Sequence, residues 1–291
     1  MHKYIKAIGF QDIDSEKEWN QILYQAEENF SGYERISLEE NLDYCELKKE
    51  FGTGIGICSY GQIDENEIFD REYYLPYFEG TGITSYADII VERRIDRESY
   101  VGICEDAKVG VSLIFHLQNG MDYIKEVQNG QIPKSSTSVT LAGLAVSGTV
   151  LFPVLKSKEQ EQMRKEESRN RMMLLSAARQ GDTEAIESLT LDDIDTYSQV
   201  SKRLADEDIF SIVDTYFMPY GVECDQYSVL GEILDMDTVE NKLTKEEIYV
   251  LTLDVNELQF DICVPVKSVT GEPEIGRRFK ANIWLQGYIN F

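Results

Sequence analysis

The sequence predicts an α+β protein built from three regions: an antiparallel α+β domain over residues 1–155, a helical connector over 156–221, and a small β-barrel-like domain over 222–291. Three observations carry this reading. Between Asp43 and Asp106, β-branched and aromatic runs alternate with glycine punctuation, the texture of a strand meander. Lys156 to Arg179 contains no Gly or Pro and is dense in Glu, Lys, Arg, Gln and Met, all good helix formers. The final region packs four strand candidates between turn signals. At roughly 100–200 residues per domain, a chain of 291 residues suggests two domains, and its 42% hydrophobic content can fill their cores.

Taken in order, Ile5, Ala7 and Ile8 open with a short strand or first turn. Ser15-Glu16-Lys17-Glu18 is a capping box ahead of Trp19, Ile22, Leu23, Ala26 and Phe30 at helical spacing. Tyr44 and Glu46 then alternate around Cys45 and Leu47, and Gly52, Gly54, Gly56 and Gly61 punctuate the strands that follow. Further strands are expected over 73–78, 83–92, 99–104 and 109–117, with Asn119-Gly120 stopping the last before a short helix near 123–127. Val139–Leu155 is uncharged but too short for a membrane span of about 20 residues. Its glycines and the Ser147-Gly148-Thr149 break read as two buried strands joined by a tight turn.

In the connector, Gly181 ends the first helix and Asp182 caps a short second one. Thr190-Leu191-Asp192-Asp193 offers a fresh start for the stripe Ile194, Tyr197, Val200, Ser201 and Leu204. Asp208–Phe217 adds a turn or two, closed by Met218-Pro219-Tyr220-Gly221. The last region gives strands over 227–235, 248–255, 258–266 and 279–291, with Asn256-Glu257 as a two-residue turn. That suits a partly closed OB or SH3-like barrel.

Charge narrows the partners. The chain carries 53 Asp+Glu against 28 Lys+Arg, net −25, divided −13, −5 and −7 over residues 1–155, 156–222 and 223–291. Every region is acidic, so nucleic acid and anionic membrane surfaces are disfavoured. The expected partner is another protein or a second copy of the chain. Cys45, Cys58, Cys104, Cys224 and Cys263 are odd in number and widely spaced, which fits reduced thiols better than a disulfide framework. With only His2 and His116 as imidazoles, no metal site and no cofactor is expected. The N-terminus lacks the apolar run of a signal peptide, and a cytoplasmic location is the expectation.

The two ends of the chain carry a family likeness. Met1-His2-Lys3-Tyr4-Ile5-Lys6-Ala7-Ile8-Gly9-Phe10, Gly221-Val222-Glu223-Cys224-Asp225-Gln226-Tyr227, Gly276-Arg277-Arg278-Phe279-Lys280 and Ile283-Trp284-Leu285-Gln286-Gly287 resemble an uncharacterised bacterial family, a domain of unknown function of about 290 residues. The resemblance runs the full length. It implies a soluble intracellular bacterial protein, implies no activity, and transfers no catalytic residue.

Candidate chemistry is sparse. Gly52-Thr53-Gly54-Ile55-Gly56 lacks the following helix of a dinucleotide fingerprint and reads as a hairpin. Ile57-Cys58-Ser59-Tyr60-Gly61 approaches a nucleophile elbow but misses its first glycine. His116 lies on the strand face opposite Leu113 and Phe115; it is either a general base for Cys58, Cys104 or a nearby Ser or, preferred, a half-exposed strand histidine. The acidic groups Asp192, Asp193, Asp195 and Asp206, Glu207, Asp208 suit helix starts better than metal binding. The helix 156–179 is locally basic and reads as a connector. Tyr227, Tyr249, Phe260, Phe279, Trp284 and Tyr288 look exposed on the barrel, and Arg277, Arg278 and Lys280 are its basic cluster. Arg277, Arg278, Lys280 and Trp284 are therefore the candidate interaction residues. The leading expectation is a non-catalytic protein-interaction or regulatory module. The alternatives are an enzyme using carboxylates or Cys58/His116, and a single-stranded nucleic-acid binder using the barrel.

Overall fold

The structure, a computed structural model, describes residues 1–39, 42–64, 66–95, 99–106, 112–130, 138–154, 158–203 and 209–290. It is an α+β fold. A 3-10 turn over Lys3–Ile8 leads to helix α1 (Glu16–Glu28), whose cap is Ser15, with Oγ accepting from the Glu18 amide. Trp19, Leu23 and Ala26 form the buried stripe of α1. Strands β1 (Gly32–Glu39), β2 (Leu42–Gly52), β3 (Ile55–Ile63) and β4 (Phe69–Phe78) follow as an antiparallel four-stranded meander. The glycine-rich stretch is the β2–β3 hairpin, with Gly54 at φ 71° in its turn.

The second layer is a closed barrel. After β5 (Ile89–Arg93), β6 (Tyr100–Cys104), β7 (Leu113–Leu117) and helix α2 (Gly120–Gln128) comes β8 (Ser138–Leu151). The later strands are β9 (Tyr216–Pro219), β10 (Gln226–Glu240), β11 (Glu247–Val255), β12 (Leu258–Pro265), β13 (Val269–Thr270) and β14 (Arg278–Asn290). Strands β8, β12, β11, β10 and β14 pair in that order, and β14 pairs back to β8, which closes five strands without an edge. β7, β6 and β5 extend the sheet from β14, through a parallel pairing that sets Gln286 opposite His116. The Asn256-Glu257 turn has both residues at positive φ, 54° and 65°, as a primed hairpin turn requires.

Four sequence expectations are corrected. The described residues of the 139–155 stretch form neither a hairpin nor a helix: β8 is one strand, and it supplies the barrel's fifth stave from well before residue 222. Gly148 sits mid-strand because a Cβ there would lie 2.1 Å from Cζ of Phe279 inside the barrel. Helix α3 (Lys158–Arg179) is followed by a single helix α4 (Thr183–Arg203) with no new start at Thr190, so Asp192 and Asp193 are mid-helix and Asp193 pairs with Arg171 of α3 at 2.8 Å. Asp182 does cap α4, accepting from the Glu184 and Ala185 amides. Residues Met218 and Pro219 belong to β9 rather than to a helix stop, after a short α5 (Ile209–Ile212). Asp206, Glu207 and Asp208 lie outside the described residues.

Two apolar clusters follow from strand alternation. Along β14, Phe279, Ala281, Ile283, Leu285 and Ile289 belong to the barrel's apolar cluster, which Leu113, Phe115 and Leu117 of β7 extend beyond the closed strands. The intervening Trp284 belongs instead to the core between barrel, meander and α1, with Tyr4, Trp19 and Leu75. Buried polar groups tie the layers together. Asp261 accepts from the amide and hydroxyl of Thr81 and from the hydroxyl of Thr252. Asn241 donates to the Ile8 carbonyl and accepts from the Leu243 and Thr244 amides, anchoring the N-terminal turn.

Candidate functional site

A cleft of about 190 Å³ lies between the meander and the outer face of the barrel. One wall is set by strand period. Glu46 and Lys48 on β2, Cys58 and Tyr60 on β3, and Leu75 and Tyr77 on β4 are each two apart and share a face. Register places Glu46 opposite Tyr60 and opposite Glu34 of β1, and Cys58 between Lys48 and Leu75. The other wall comes from His116 of β7, Gln118 and Asn119, Met121 and Asp122 of α2, and Gln286 and Tyr288 of β14.

A polar frame fixes this wall against the first. Gln286 donates to the Pro76 carbonyl at 2.8 Å and accepts from the Phe78 amide and the Gln118 side chain. Gln118 also donates to the Phe78 carbonyl. Asn119 imitates a strand neighbour, donating to the Ile289 carbonyl and accepting from its amide. Lys125 of α2 is ion-paired with Glu34. The cleft is therefore preorganised by amides rather than by loops.

Its electrostatics are acidic and unusual. Glu46 is 8% exposed. Burial pushes its carboxyl up to about 7, against the Tyr60 hydrogen bond and the Lys48 charge, which favour the ionised form. Cys58 lies 3.9 Å from Glu46 Oε1, and burial together with that carboxylate drives its thiol well above the ordinary range. Burial and then Glu34 raise the Asp122 carboxyl. Burial opposes the Lys48 charge, but bonding to Glu79 and neighbouring acidic groups raise it overall. The Lys48 ammonium is ion-paired with Glu79 and sits 4.4 Å over the Tyr77 ring.

The structure thus brings Cys58 and His116 to one cleft. His116 is 5% exposed rather than half-exposed, because the face opposite Phe115 is the covered inter-layer face. Its ring stacks on Trp284 at 5.4 Å, and the His2 ring meets the same indole at 4.9 Å. Beyond that stack is a second cavity of about 320 Å³, walled by Tyr4, Arg94, Ser99, Asp225 and Trp284. The other barrel residues lie elsewhere. Arg278 is buried and donates to the carbonyls of Phe152, Phe210, Val213 and Asp214. Arg277 pairs with Glu274 at 2.9 Å, and Lys280 lies over the Phe210 ring. Of the aromatics expected on the surface, Tyr227, Phe260, Phe279 and Trp284 are buried; Tyr288 is exposed and rims the cleft.

Sequence reasoning missed Glu46, Lys48, Tyr60 and Tyr77 as cleft residues. The available signal was an acid held between Tyr44, Cys45 and Leu47 in an apolar strand. Among the described residues no group of three or more His, Cys, Asp or Glu side chains could hold a metal ion. No described helix is long and apolar enough to cross a membrane. Neither a curated protein nor a solved structure matches the chain. The likeness read from both chain ends is borne out by a family profile that matches residues 5–287, nearly the whole fold including meander, barrel and cleft: the chain belongs to the family described as a domain of unknown function, E. rectale gene description (DUF3881).

Proposed function

We propose that the protein is a non-catalytic regulatory module whose cleft takes a small organic cation. One observation carries this reading: Glu34, Glu46, Glu79 and Asp122 converge with the rings of Tyr33, Tyr60, Tyr77 and Tyr288 on one half-enclosed space. Carboxylates and aromatic faces together are the chemistry that holds an ammonium group. Lys48, paired to Glu79 and lying over Tyr77, already shows this wall receiving one. Glu46 and Asp122 have no salt-bridge partner among the described residues, so they are the acids that answer a ligand's charge. The Cys58 thiol, held protonated, is a poor nucleophile, which weighs against a Cys58/His116 enzyme.

Methylammonium and tetramethylammonium, titrated by calorimetry, test the proposal. Ionised Glu46 favours the cation, so affinity rises about tenfold from about pH 6 to about pH 8 and levels off above it. Glu46→Gln removes that dependence. Equal affinity at both pH values, or an unchanged profile in Glu46→Gln, refutes the assignment.

A second reading rests on Glu46 alone, since a carboxyl titrating near neutrality in a cleft suits a general acid–base catalyst. It replaces the first if a captured ligand is returned chemically altered by the native protein and unaltered by Glu46→Gln.

A further inference from the structure

The helical hairpin is the part of the chain whose packing is incomplete. Helices α3 and α4 run 22 and 21 residues, and each packs mainly against the other. Of their described side chains only Ala185 is buried, with Leu174, Leu175 and Leu189 half-buried. Met163, Met172 and Met173 of α3 and Ile186, Leu191 and Ile194 of α4 are exposed. Helices in proteins are held by packing of an apolar face more than by propensity, and one buried alanine leaves most of that packing unmade. Charge is divided between the two helices. Residues 168–179 carry three arginines and no acid, whereas 183–196 carry five acids and no base. The Arg171–Asp193 ion pair at 2.8 Å sets these two stretches side by side. Arg169, Glu187 and Asp192 have no ion-pair partner among the described residues.

We propose that two copies of the chain dock hairpin to hairpin as a four-helix bundle, in which each α3 lies between its own α4 and the α4 of the second copy. A two-fold interface sets one patch against itself, so the patch must be self-complementary. The hairpin meets that condition, because one element bears a basic strip, an acidic strip and exposed apolar side chains. A partner of a single charge sign would match only one of the two helices. Setting α3 against α3 opposes arginine to arginine, and like charges repel. The alternating arrangement instead repeats the chemistry of Arg171 and Asp193 across the interface and gives Arg169, Glu187 and Asp192 opposite charges to meet. At about 1.5 Å per residue each helix is about 30 Å long, which allows several turns of continuous contact. None of these residues lines the cation cleft, and the pairing does not depend on that reading.

Sedimentation equilibrium of the full chain tests the pairing. The expected result is a reversible monomer–dimer equilibrium at micromolar concentration, weakened severalfold between about 0.05 M and about 0.5 M salt. Ile194→Glu and Arg169→Glu should each raise the dissociation constant about tenfold or more. Both replace exposed side chains, so each variant keeps the circular dichroism spectrum of the native chain. The melting temperature of the native chain rises with protein concentration, and that of Ile194→Glu rises less. Charge reversal gives the sharper test. Arg169→Glu and Asp192→Lys chains each associate weakly alone, and an equal mixture associates more tightly than either, because opposite strips then face each other in the mixed pair. A chain that stays monomeric up to about 100 μM overturns the proposal. So does a dimer that neither Ile194→Glu nor Arg169→Glu weakens, since the copies then meet elsewhere. A mixture no tighter than its components overturns the alternation of α3 with α4.

Discussion

Replacing Glu46 by Gln should stabilise the protein, and only above acidic pH. The side chain is 8% exposed, and burial raises its carboxyl from an ordinary value of 4.5 to about 7. Below about pH 4.5 the group is protonated in both folded and unfolded chains, and it contributes no difference. Between about 4.5 and 7 the unfolded chain releases the proton while the folded chain keeps it, so stability falls as pH rises. Above about 7 both forms are ionised and the loss is complete. At about 1.4 kcal/mol per pH unit the interval amounts to about 3 kcal/mol. Glutamine keeps an acceptor for Tyr60 and cannot ionise. Urea denaturation of native and Glu46→Gln proteins, followed by circular dichroism from about pH 4 to about pH 8.5, measures the difference directly. It should be near zero at the acid end and reach about 3 kcal/mol in favour of the variant at the alkaline end. Groups that do not interact with Glu46 cancel in that difference, and the smaller Glu34 and Asp122 contributions belong to the Glu46 shift itself. A gap that does not change with pH, or one that favours the native chain at alkaline pH, refutes the account of Glu46 as a desolvated acid.

Three further outcomes follow from contacts that hold the layers. Asp261→Ala leaves two hydroxyls and one amide, from Thr81 and Thr252, without their acceptor, and should lower stability by about 2–4 kcal/mol in urea. Gly148→Ala drives a methyl group into the Phe279 ring and should cost about 1–3 kcal/mol, with Phe279→Leu in the same chain recovering part of the loss. Arg278→Ala removes the donor to four carbonyls at Phe152, Phe210, Val213 and Asp214; limited proteolysis should then cut within residues 209–219 earlier than in the native chain.

What was legible in the sequence was local. The capping box at Ser15, the hairpin at Gly54 and the primed turn at Asn256-Glu257 are written in residues adjacent in the chain, and the strands β10, β11, β12 and β14 came with them. The barrel's fifth strand was not legible, because the pairing of β8 with β12 and β14 joins residues more than 100 apart. Gly148 was misread for the same reason: glycine signals a turn unless a distant ring, here Phe279, needs the space. Burial of His116 and Trp284 shows the opposite lesson. Alternation correctly put His116 on the face away from Phe115, but which face meets solvent depends on the meander packed over it. Cys58 and His116 were singled out for their chemistry and do share a cleft. Glu46, which dominates its electrostatics, is one of 53 acidic residues and stands out only once its neighbours on β1 and β3 are in place.

The net charge of −25 makes the cation reading testable by salt as well as by pH. A small cation approaching the cleft is drawn by the field of the whole chain as well as by Glu46 and Asp122. Raising ionic strength from about 0.01 M to about 0.1 M shortens the screening length from about 30 Å to about 10 Å. Distant acidic residues then drop out, while contacts within the cleft, a few ångströms from the ligand, are barely screened. Cation affinity should therefore fall severalfold over that range, and Glu46→Gln should show a similar salt slope from a weaker starting affinity. If affinity does not change with salt, the field of the whole chain is no part of the attraction and that account is wrong.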